Sequence, residues 1–195
     1  MQDIQALIFD CDGTLTDSMP AHYVAWHATL SRHGIEFSED RFYALGGMPT
    51  DKIIALLGVE QGMALDHVAL AREKEDDFLR SLHLITAIEP VVEIVREYHG
   101  KLKLAVASGG WRDVIERQLA QTGLRHYFSA VVTAEDTPRH KPEPDVFLEA
   151  ARRLEVAPQH CRVYEDSDLG IEAARRAGMQ WVDIRPWHTP RRVSA

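Results

Sequence analysis

The amino-acid sequence predicts an α/β fold, in which a doubly wound (Rossmann-like), mostly parallel sheet core carries an inserted all-helical cap domain. Short apolar segments alternate with helical patterns through the second half of the chain, which is typical of parallel sheets. A long stretch after the first apolar segment contains helical patterns but no convincing strand. We therefore assign residues 1–16 and 86–195 to the core and residues 17–85 to the cap, with hinges at the borders.

The predicted strands are short, continuous apolar runs, as expected for strands buried on both faces. They are Ala6–Phe9, Leu102–Ala107, Ala130–Thr133, Cys161–Tyr164 and Gln180–Ile184. Helical periodicity follows the second, third and fourth of these strands, at Trp111–Thr122, Pro144–Leu154 and Asp168–Ala177. The cap helices are predicted at Ala21–His33, Asp40–Leu45, Asp51–Leu57 and Leu65–Leu82.

Composition narrows the class of protein. The 195 residues are 45% hydrophobic and carry a formal net charge of −8, which argues against a nucleic-acid or membrane-surface partner. The longest apolar runs are far shorter than a bilayer span requires, and no Lys or Arg precedes Arg32, so we expect neither a membrane helix nor a targeting peptide. The two cysteines, Cys11 and Cys161, lack metal or redox spacing. We expect a cytoplasmic monomer.

Asp10 and Asp12 directly follow the first strand, where ligands of open parallel sheets bind. Two carboxylates this close repel each other unless a cation lies between them or one of them holds a proton. The pair therefore indicates either a Mg²⁺ site or a division of acid and base roles. An ordinary solvent-exposed turn rich in Asp and Gly explains it about equally well.

A second acidic group, Glu165 and Asp166, follows the fourth core strand. Ser167 or Asp168, next in the chain, could instead serve only to cap the following helix. Capping and catalysis are compatible, and acids at the ends of two strands in one sheet favour a shared Mg²⁺ site.

Two further loops add a hydroxyl and a cation. Ser108 and Gly109 lie between a strand and a helix, where backbone N–H groups bind anions, although a Gly-rich turn would look similar. Lys141 lies in a loop before another helix, and for a lysine considered alone a solvated position is the favoured interpretation. Taken with the acids, these residues form a set suited to handling a phosphoryl group.

With these four motifs in this order, the chain resembles the haloacid dehalogenase superfamily of phosphotransferases, and within it the sugar-phosphate phosphatases with a small helical cap. The similarity is closest to the bacterial fructose-1-phosphate phosphatase type. The resemblance implies that Asp10 attacks phosphorus to form an aspartyl phosphate, and that Asp12 is the general acid and base. It implies that Mg²⁺ is held by Asp10, the Asp12 carbonyl and Asp166, with Glu165 binding directly or through water.

The same resemblance implies a phosphate site and a specificity site. Ser108 and Lys141 would hold the phosphate oxygens, helped by the backbone N–H groups of Cys11, Asp12 and Gly109. The expected substrate is a small phosphorylated molecule, a sugar phosphate such as fructose 1-phosphate.

In the cap, three residues match positions near the substrate in similar enzymes: His22, Thr50 and Lys74. His22 could equally be a buried residue packed on Trp26, four positions away on the same helix face. Lys74 belongs to a charged run, for which a solvated helix face is the favoured interpretation. Thr50 stands where similar mutases carry an arginine that grips a second phosphate, so water is favoured as the phosphoryl acceptor.

Two alternatives remain open. A β-phosphoglucomutase-like isomerase would use the same four motifs. A receiver-like signalling module would also combine acids, a hydroxyl and a lysine, but its phosphoacceptor would follow the third strand, where Asp136 stands. Receivers also lack a helical insertion of this length.

Overall fold

A five-stranded parallel sheet forms the centre of the protein, and a separate two-stranded ribbon lies beside it. The structure is a computed structural model that describes residues 3–190 and 192–193. The strands are β1 (Ala6–Phe9), β2 (Thr16–Asp17), β3 (Thr86–Ala87), β4 (Lys103–Ala107), β5 (Ala130–Val132), β6 (Cys161–Glu165) and β7 (Gln180–Asp183).

The strand order of the large sheet is β5-β4-β1-β6-β7, so β1 is central. Counted among core strands alone, this is the order 3-2-1-4-5 of a doubly wound nucleotide-binding sheet, and the predicted fold class is confirmed. The order reverses between β1 and β6, and ligands of such sheets bind beyond the carboxyl ends of the strands at that point. Both predicted acidic groups follow these two strands.

The helices cover both faces of the sheet and fill the chain between β2 and β3. They are α1 (Met19–Arg32), α2 (Glu39–Ala44), α3 (Thr50–Gln61), α4 (His67–Leu79), α5 (Glu89–Tyr98), α6 (Arg112–Gln121), α7 (Asp145–Leu154) and α8 (Asp168–Arg176). In the described residues, no helix is both long and apolar enough to cross a bilayer.

Helix α5 was not predicted from the sequence. Its start contains Pro90, which reads as a domain border but is well tolerated in the first turn of a helix, where its missing N–H leaves no hydrogen bond unmade. The helix buries Val91, Val92 and Val95 against the sheet.

The ribbon of β2 and β3 was also not predicted, because two-residue strands are too short to show any periodicity. Thr16 pairs with Ala87 and Asp17 with Thr86, at the two borders where we predicted hinges. Four helices, α1 to α4, lie between the two strands. The division into a core of residues 1–16 and 86–195 and a cap of residues 17–85 stays a prediction.

Four apolar clusters of buried residues lie within the described part of the chain. Alternate residues of β1 face opposite sides of the sheet, so that Ile8 packs in the cluster with α7 and α8, and Phe9 packs in the cluster with α5 and α6. A third cluster, which includes Trp26, Phe37 and Ile54, lies among α1 to α4, and a fourth joins α1 and α4 to α6. The helical segment therefore has apolar packing of its own and an apolar contact with α6.

Candidate active site

Three carboxylates converge at the carboxyl ends of β1 and β6. One oxygen from each of Asp10, Glu165 and Asp166 lies within 4.8 Å of the others. Asp10 and Glu165 are buried, and Asp166 is partly exposed. This acidic cluster could hold a metal ion, because hard oxygen ligands suit Mg²⁺ and Ca²⁺.

Lys141 extends from the loop before α7 into the same cluster. Its Nζ donates to Asp10 Oδ1 at 2.5 Å and to Glu165 Oε2 at 2.7 Å, and the residue is only 4% exposed. The solvated position that its sequence context favours is therefore wrong. A buried lysine charge is tolerated here because two carboxylates face it.

Charge in the cluster is not balanced by the protein alone. Burial, followed by the charge of Glu165, raises the pKa of Asp10, and the same two causes raise the pKa of Asp166 to about 7. Burial disfavours the charge of Lys141, but its two acidic neighbours raise its pKa above the usual value. The cluster contains three carboxylates and one lysine, which contacts only Asp10 and Glu165, so a divalent cation would offset the remaining repulsion.

Glu165 is already fully engaged by protein donors. Its Oε1 accepts from the backbone N–H groups of Asp166 and Ser167 at 3.2 and 3.0 Å and from the Ser167 hydroxyl at 2.7 Å, while Oε2 accepts from Lys141. A Cβ atom at Gly170 would lie 2.1 Å from its carboxylate, so glycine is required there. Glu165 therefore holds the loop and the lysine in place.

Asp166 and Asp10 are better placed to bind a cation. Thr14 Oγ1 donates to Asp166 Oδ1 at 2.9 Å. Asp166 Oδ2 fits beside Gly13 only because glycine has no side chain. A Cβ atom at Gly13, whose φ is +80°, would lie 2.3 Å from this oxygen. The residues present thus fit a metal ion held mainly by Asp10 and Asp166, with Glu165 behind them.

Asp12 is held by three donors on a single oxygen. Its Oδ1 accepts from Ser18 Oγ at 2.5 Å, from Gln118 Nε2 at 2.8 Å and from His22 Nε2 at 3.0 Å. Burial works to raise the pKa of Asp12, but His22, Ser18 and Gln118 together lower it well below its usual value. The ligand-free carboxylate is therefore ionised, and Oδ2 is the oxygen left for proton exchange.

Gln118 is a site residue that the sequence analysis missed. It is fully buried on α6, and its Oε1 accepts from Thr16 Oγ1 at 3.0 Å while its Nε2 donates to Asp12. A signal was present: Gln118 occupies a position that the spacing from Val114 and Ile115 assigns to the apolar face of the helix. A buried amide at such a position needs polar partners.

His22 lies beside Asp12, as the resemblance implied, and stacks on Phe78 with ring centroids 3.6 Å apart rather than on Trp26. Lys74 Nζ lies 2.7 Å from His22 Nδ1. Because an ammonium group can only donate, Nδ1 accepts and the ring hydrogen on Nε2 is donated to Asp12. Lys74 is 1% exposed, so the solvated helix face favoured by its charged sequence context is wrong.

The predicted phosphate loops lie next to the carboxylates. Ser108 is buried, and its Oγ accepts from the Gly110 N–H at 3.0 Å, which fixes the loop before α6. The Cys11 side chain is fully buried beneath the site, with Sγ 3.9 Å from Thr16 Oγ1. Any contact of Cys11 with a ligand would therefore involve its backbone.

The loop of Gly46 and Gly47 closes the site from the helical side. A Cβ atom at Gly109 would lie 2.9 Å from the Gly47 carbonyl oxygen, and one at Gly47 would lie 3.0 Å from Ser167 Oγ. The two loops approach this closely because neither glycine carries a side chain. The cavity beside this loop measures about 80 Å³, which is small compared with ordinary small-molecule sites.

Most of the predicted site residues surround this one cavity. Those that line it are Asp10, Asp12, His22, Thr50, Lys74, Ser108, Gly109, Glu165 and Asp166. Lys141 reaches the site through Asp10 and Glu165, and Cys11 lies beneath it. Proximity is what the structure establishes for these residues, and their individual roles stay predictions.

Asp136, the acceptor that a receiver-like module would use, is engaged elsewhere. Arg112 and Arg153 both donate to its carboxylate, and the Thr133 N–H donates to it at 2.8 Å. The strand order 3-2-1-4-5 also differs from the order 2-1-3-4-5 of that class. The receiver-like alternative is therefore not supported.

Comparisons with known proteins agree with this geometry. A family model described as haloacid dehalogenase-like hydrolase matches residues 7–184. The chain is 45% identical to the fructose-1-phosphate phosphatase YqaB of Escherichia coli, over 92% of this chain and 95% of that protein. It is 29% identical to a phosphorylated carbohydrates phosphatase of Thermotoga maritima, over 91% and 83% of the two chains. The crystal structure of β-phosphoglucomutase from Clostridium difficile superposes with a TM-score of 0.84 at 26% identity, covering 92% and 84%.

The packing of Gly170 against Glu165 predicts an unusual mutational effect. Gly170→Ala should lower the free energy of unfolding by about 1–3 kcal/mol because the methyl group would displace the carboxylate, although alanine normally stabilises a helix interior by about 1 kcal/mol relative to glycine. Urea unfolding measures the change. In a Glu165→Ala background the same substitution should cost less. A Gly170→Ala variant as stable as the wild type would contradict the packing argument.

Proposed function

Because the chain belongs to the haloacid dehalogenase-like hydrolase family, we propose that it is a Mg²⁺-dependent phosphatase that hydrolyses small sugar phosphates through an aspartyl phosphate. The observation that carries the proposal is the buried contact of Lys141 with Asp10 and Glu165, beside Asp166 and the loop of Gly46 and Gly47. The similarity to a named fructose-1-phosphate phosphatase over nearly its whole length makes fructose 1-phosphate the first substrate to test.

In this mechanism Asp10 is the nucleophile. Its carboxylate attacks phosphorus, the bond from phosphorus to the sugar oxygen breaks, and the phosphoryl group is transferred to Asp10. Lys141 fixes the Asp10 carboxylate through Oδ1 and offsets its repulsion from the incoming phosphate. Ser108 and the Gly109 N–H lie beside Asp10 on the same cavity, where they would bind phosphate oxygens.

Asp12 would transfer the proton in both steps. It donates a proton to the departing sugar oxygen and then removes one from the water that hydrolyses the aspartyl phosphate. Without substrate the pKa of Asp12 lies below its usual value, so the carboxylate is ready to act as the base. A phosphate dianion beside it would raise that pKa and favour the protonated form needed for the first step.

Bound Mg²⁺ would be held by Asp10, Asp166 and the Asp12 carbonyl, and it would neutralise negative charge on the transferred phosphoryl group. Glu165 would hold Lys141 and the Ser167 loop rather than bind the ion directly, because its oxygens already accept four hydrogen bonds.

The helical segment would supply specificity. His22, Thr50 and Lys74 line the cavity opposite Asp10, and closure of the Gly47 loop would exclude bulk water.

We further propose a small phosphorylated substrate and a cytoplasmic monomer. The net charge of −8 favours the absence of a nucleic-acid or membrane partner.

A β-phosphoglucomutase-like isomerase is the second candidate, since a solved structure of such an enzyme has the same fold. Thr50, which donates to Glu75 at 2.6 Å, provides no cation for a second phosphate at that position. Incubation with Mg²⁺ and β-glucose 1-phosphate, with and without a hexose bisphosphate, separates the two functions. A phosphatase releases inorganic phosphate, whereas formation of glucose 6-phosphate would favour the isomerase.

Substitution of the nucleophile tests the proposal directly. Asp10→Asn should lower Mg²⁺-dependent release of phosphate from fructose 1-phosphate and p-nitrophenyl phosphate by at least about a thousandfold, because an amide cannot form the phosphoenzyme. Circular dichroism should show a folded protein. Asp113→Asn, which removes an exposed carboxylate paired with Arg117 on α6, is the matched control and should keep full activity. Near wild-type turnover by Asp10→Asn would contradict the mechanism.

Gln118 should act as a positioning residue for Asp12. Gln118→Leu removes one of the three donors to Asp12 and should lower kcat/KM for fructose 1-phosphate about ten- to a hundredfold. The loss for p-nitrophenyl phosphate should be much smaller, because nitrophenolate leaves without a proton.

A purely structural role for Gln118 would lower both rates equally, so equal losses for the two substrates would contradict the positioning role. Gln121→Leu, at an exposed position on the same helix, is the control and should leave both rates unchanged.

A further inference from the structure

Glu75 is a buried carboxylate that the mechanism does not use. It follows Lys74 on α4, is 6% exposed and lines the cavity above Asp10. Its Oε1 accepts from Thr50 Oγ1 at 2.6 Å and from Lys74 Nζ at 3.0 Å. Its Oε2 is buried and has no hydrogen-bond partner among the described residues.

An unpartnered carboxylate oxygen inside a protein is costly, because it loses its hydration without gaining a donor in exchange. A carboxylate present only for structure would be expected to use both oxygens, as Glu165 does. Glu75 Oε2 is therefore free to accept a hydrogen bond from a group outside the chain. A ligand bound in the adjoining cavity could supply the donor.

We propose that Glu75 is a specificity-determining residue that selects phosphate esters of neutral polyhydroxy compounds. Its Oε2 accepts a hydrogen bond from a hydroxyl of the leaving group, and its charge opposes any second anionic group. The inference rests on the proposed phosphatase function and narrows its substrate class to monophosphates of sugars and polyols, as opposed to bisphosphates and phosphorylated carboxylic acids.

The charges around the cavity support this selection. Lys74 is the one lysine or arginine among the described residues that line it. Its ammonium group is already engaged by His22 Nδ1 and Glu75 Oε1, and it lies 5.2 Å from the Trp26 ring. A second anion on the substrate would therefore meet the Glu75 carboxylate and no uncommitted cation. Like charges brought together at a binding site disfavour binding by well beyond about tenfold.

The test compares substrates that differ only in exchanging a hydroxymethyl group for a carboxylate. Glycerol 3-phosphate is paired with 3-phosphoglycerate, and glucitol 6-phosphate with 6-phosphogluconate. The wild type should show a kcat/KM at least about tenfold higher for the neutral member of one or both pairs. Glu75→Gln should reduce that ratio at least about fivefold, because an amide carries no charge and can donate to a carboxylate.

Glu60→Gln is the matched control. It removes the same charge from an exposed position on α3, where Glu60 pairs with Arg41, and should leave the ratio unchanged. A wild-type preference below about tenfold in both pairs would overturn the inference, and this result needs no variant to fold. An equal change of the ratio in Glu60→Gln, or a smaller than fivefold change in Glu75→Gln, would overturn it as well.

Turnover of p-nitrophenyl phosphate is measured alongside. If the wild type hydrolyses it without preferring the neutral substrates, the inference fails while the phosphatase function stands. If the wild type hydrolyses no phosphate ester, the proposed function fails and the inference fails with it.

Discussion

The contact of Lys141 with Asp10 and Glu165 is the interaction on which the rest of the site depends. The two carboxylates come from the ends of adjacent central strands, and one buried ammonium group holds them together. A buried charge is strongly destabilising when its partner is missing. The site therefore requires the strand order, the loop that carries Lys141 and the two acidic loops together. Gly13 and Gly170 serve the same end, because any larger residue would displace Asp166 or Glu165.

A second set of contacts joins this cluster to the helical segment. Asp12 is held from the sheet side by Gln118 and from the helical side by Ser18 and His22, all on the same oxygen. Movement of α1 away from the sheet would remove two of these three donors and leave Gln118. The contacts that lower the pKa of Asp12 therefore come from both the core and the helical segment. This arrangement suits a group that must act as an acid in one step and a base in the next.

The sequence was sufficient to predict the parallel sheet, because buried strands and the polar loops after them are local patterns. It was not sufficient for the interactions that depend on distant partners. Lys74 reads as a solvated residue because its partner His22 lies 52 positions away, and Gln118 lies 106 positions from Asp12. Glu75 lies in the same charged run, so the sequence did not indicate that it is buried. Helix α5 was missed for a local reason. Pro90 was interpreted as part of a domain border, but proline is also common in the first turn of a helix.

In the proposed mechanism the phosphoryl group passes through a covalent bond to Asp10. Rapid acid quenching of the enzyme during turnover of fructose 1-phosphate, followed by proteolysis and mass spectrometry, would identify the modified residue. We expect a phosphoryl group on the peptide that contains Asp10, appearing at a rate that matches substrate cleavage. Phosphate on Asp136, or turnover with no phosphorylated peptide at any quench time, would contradict it.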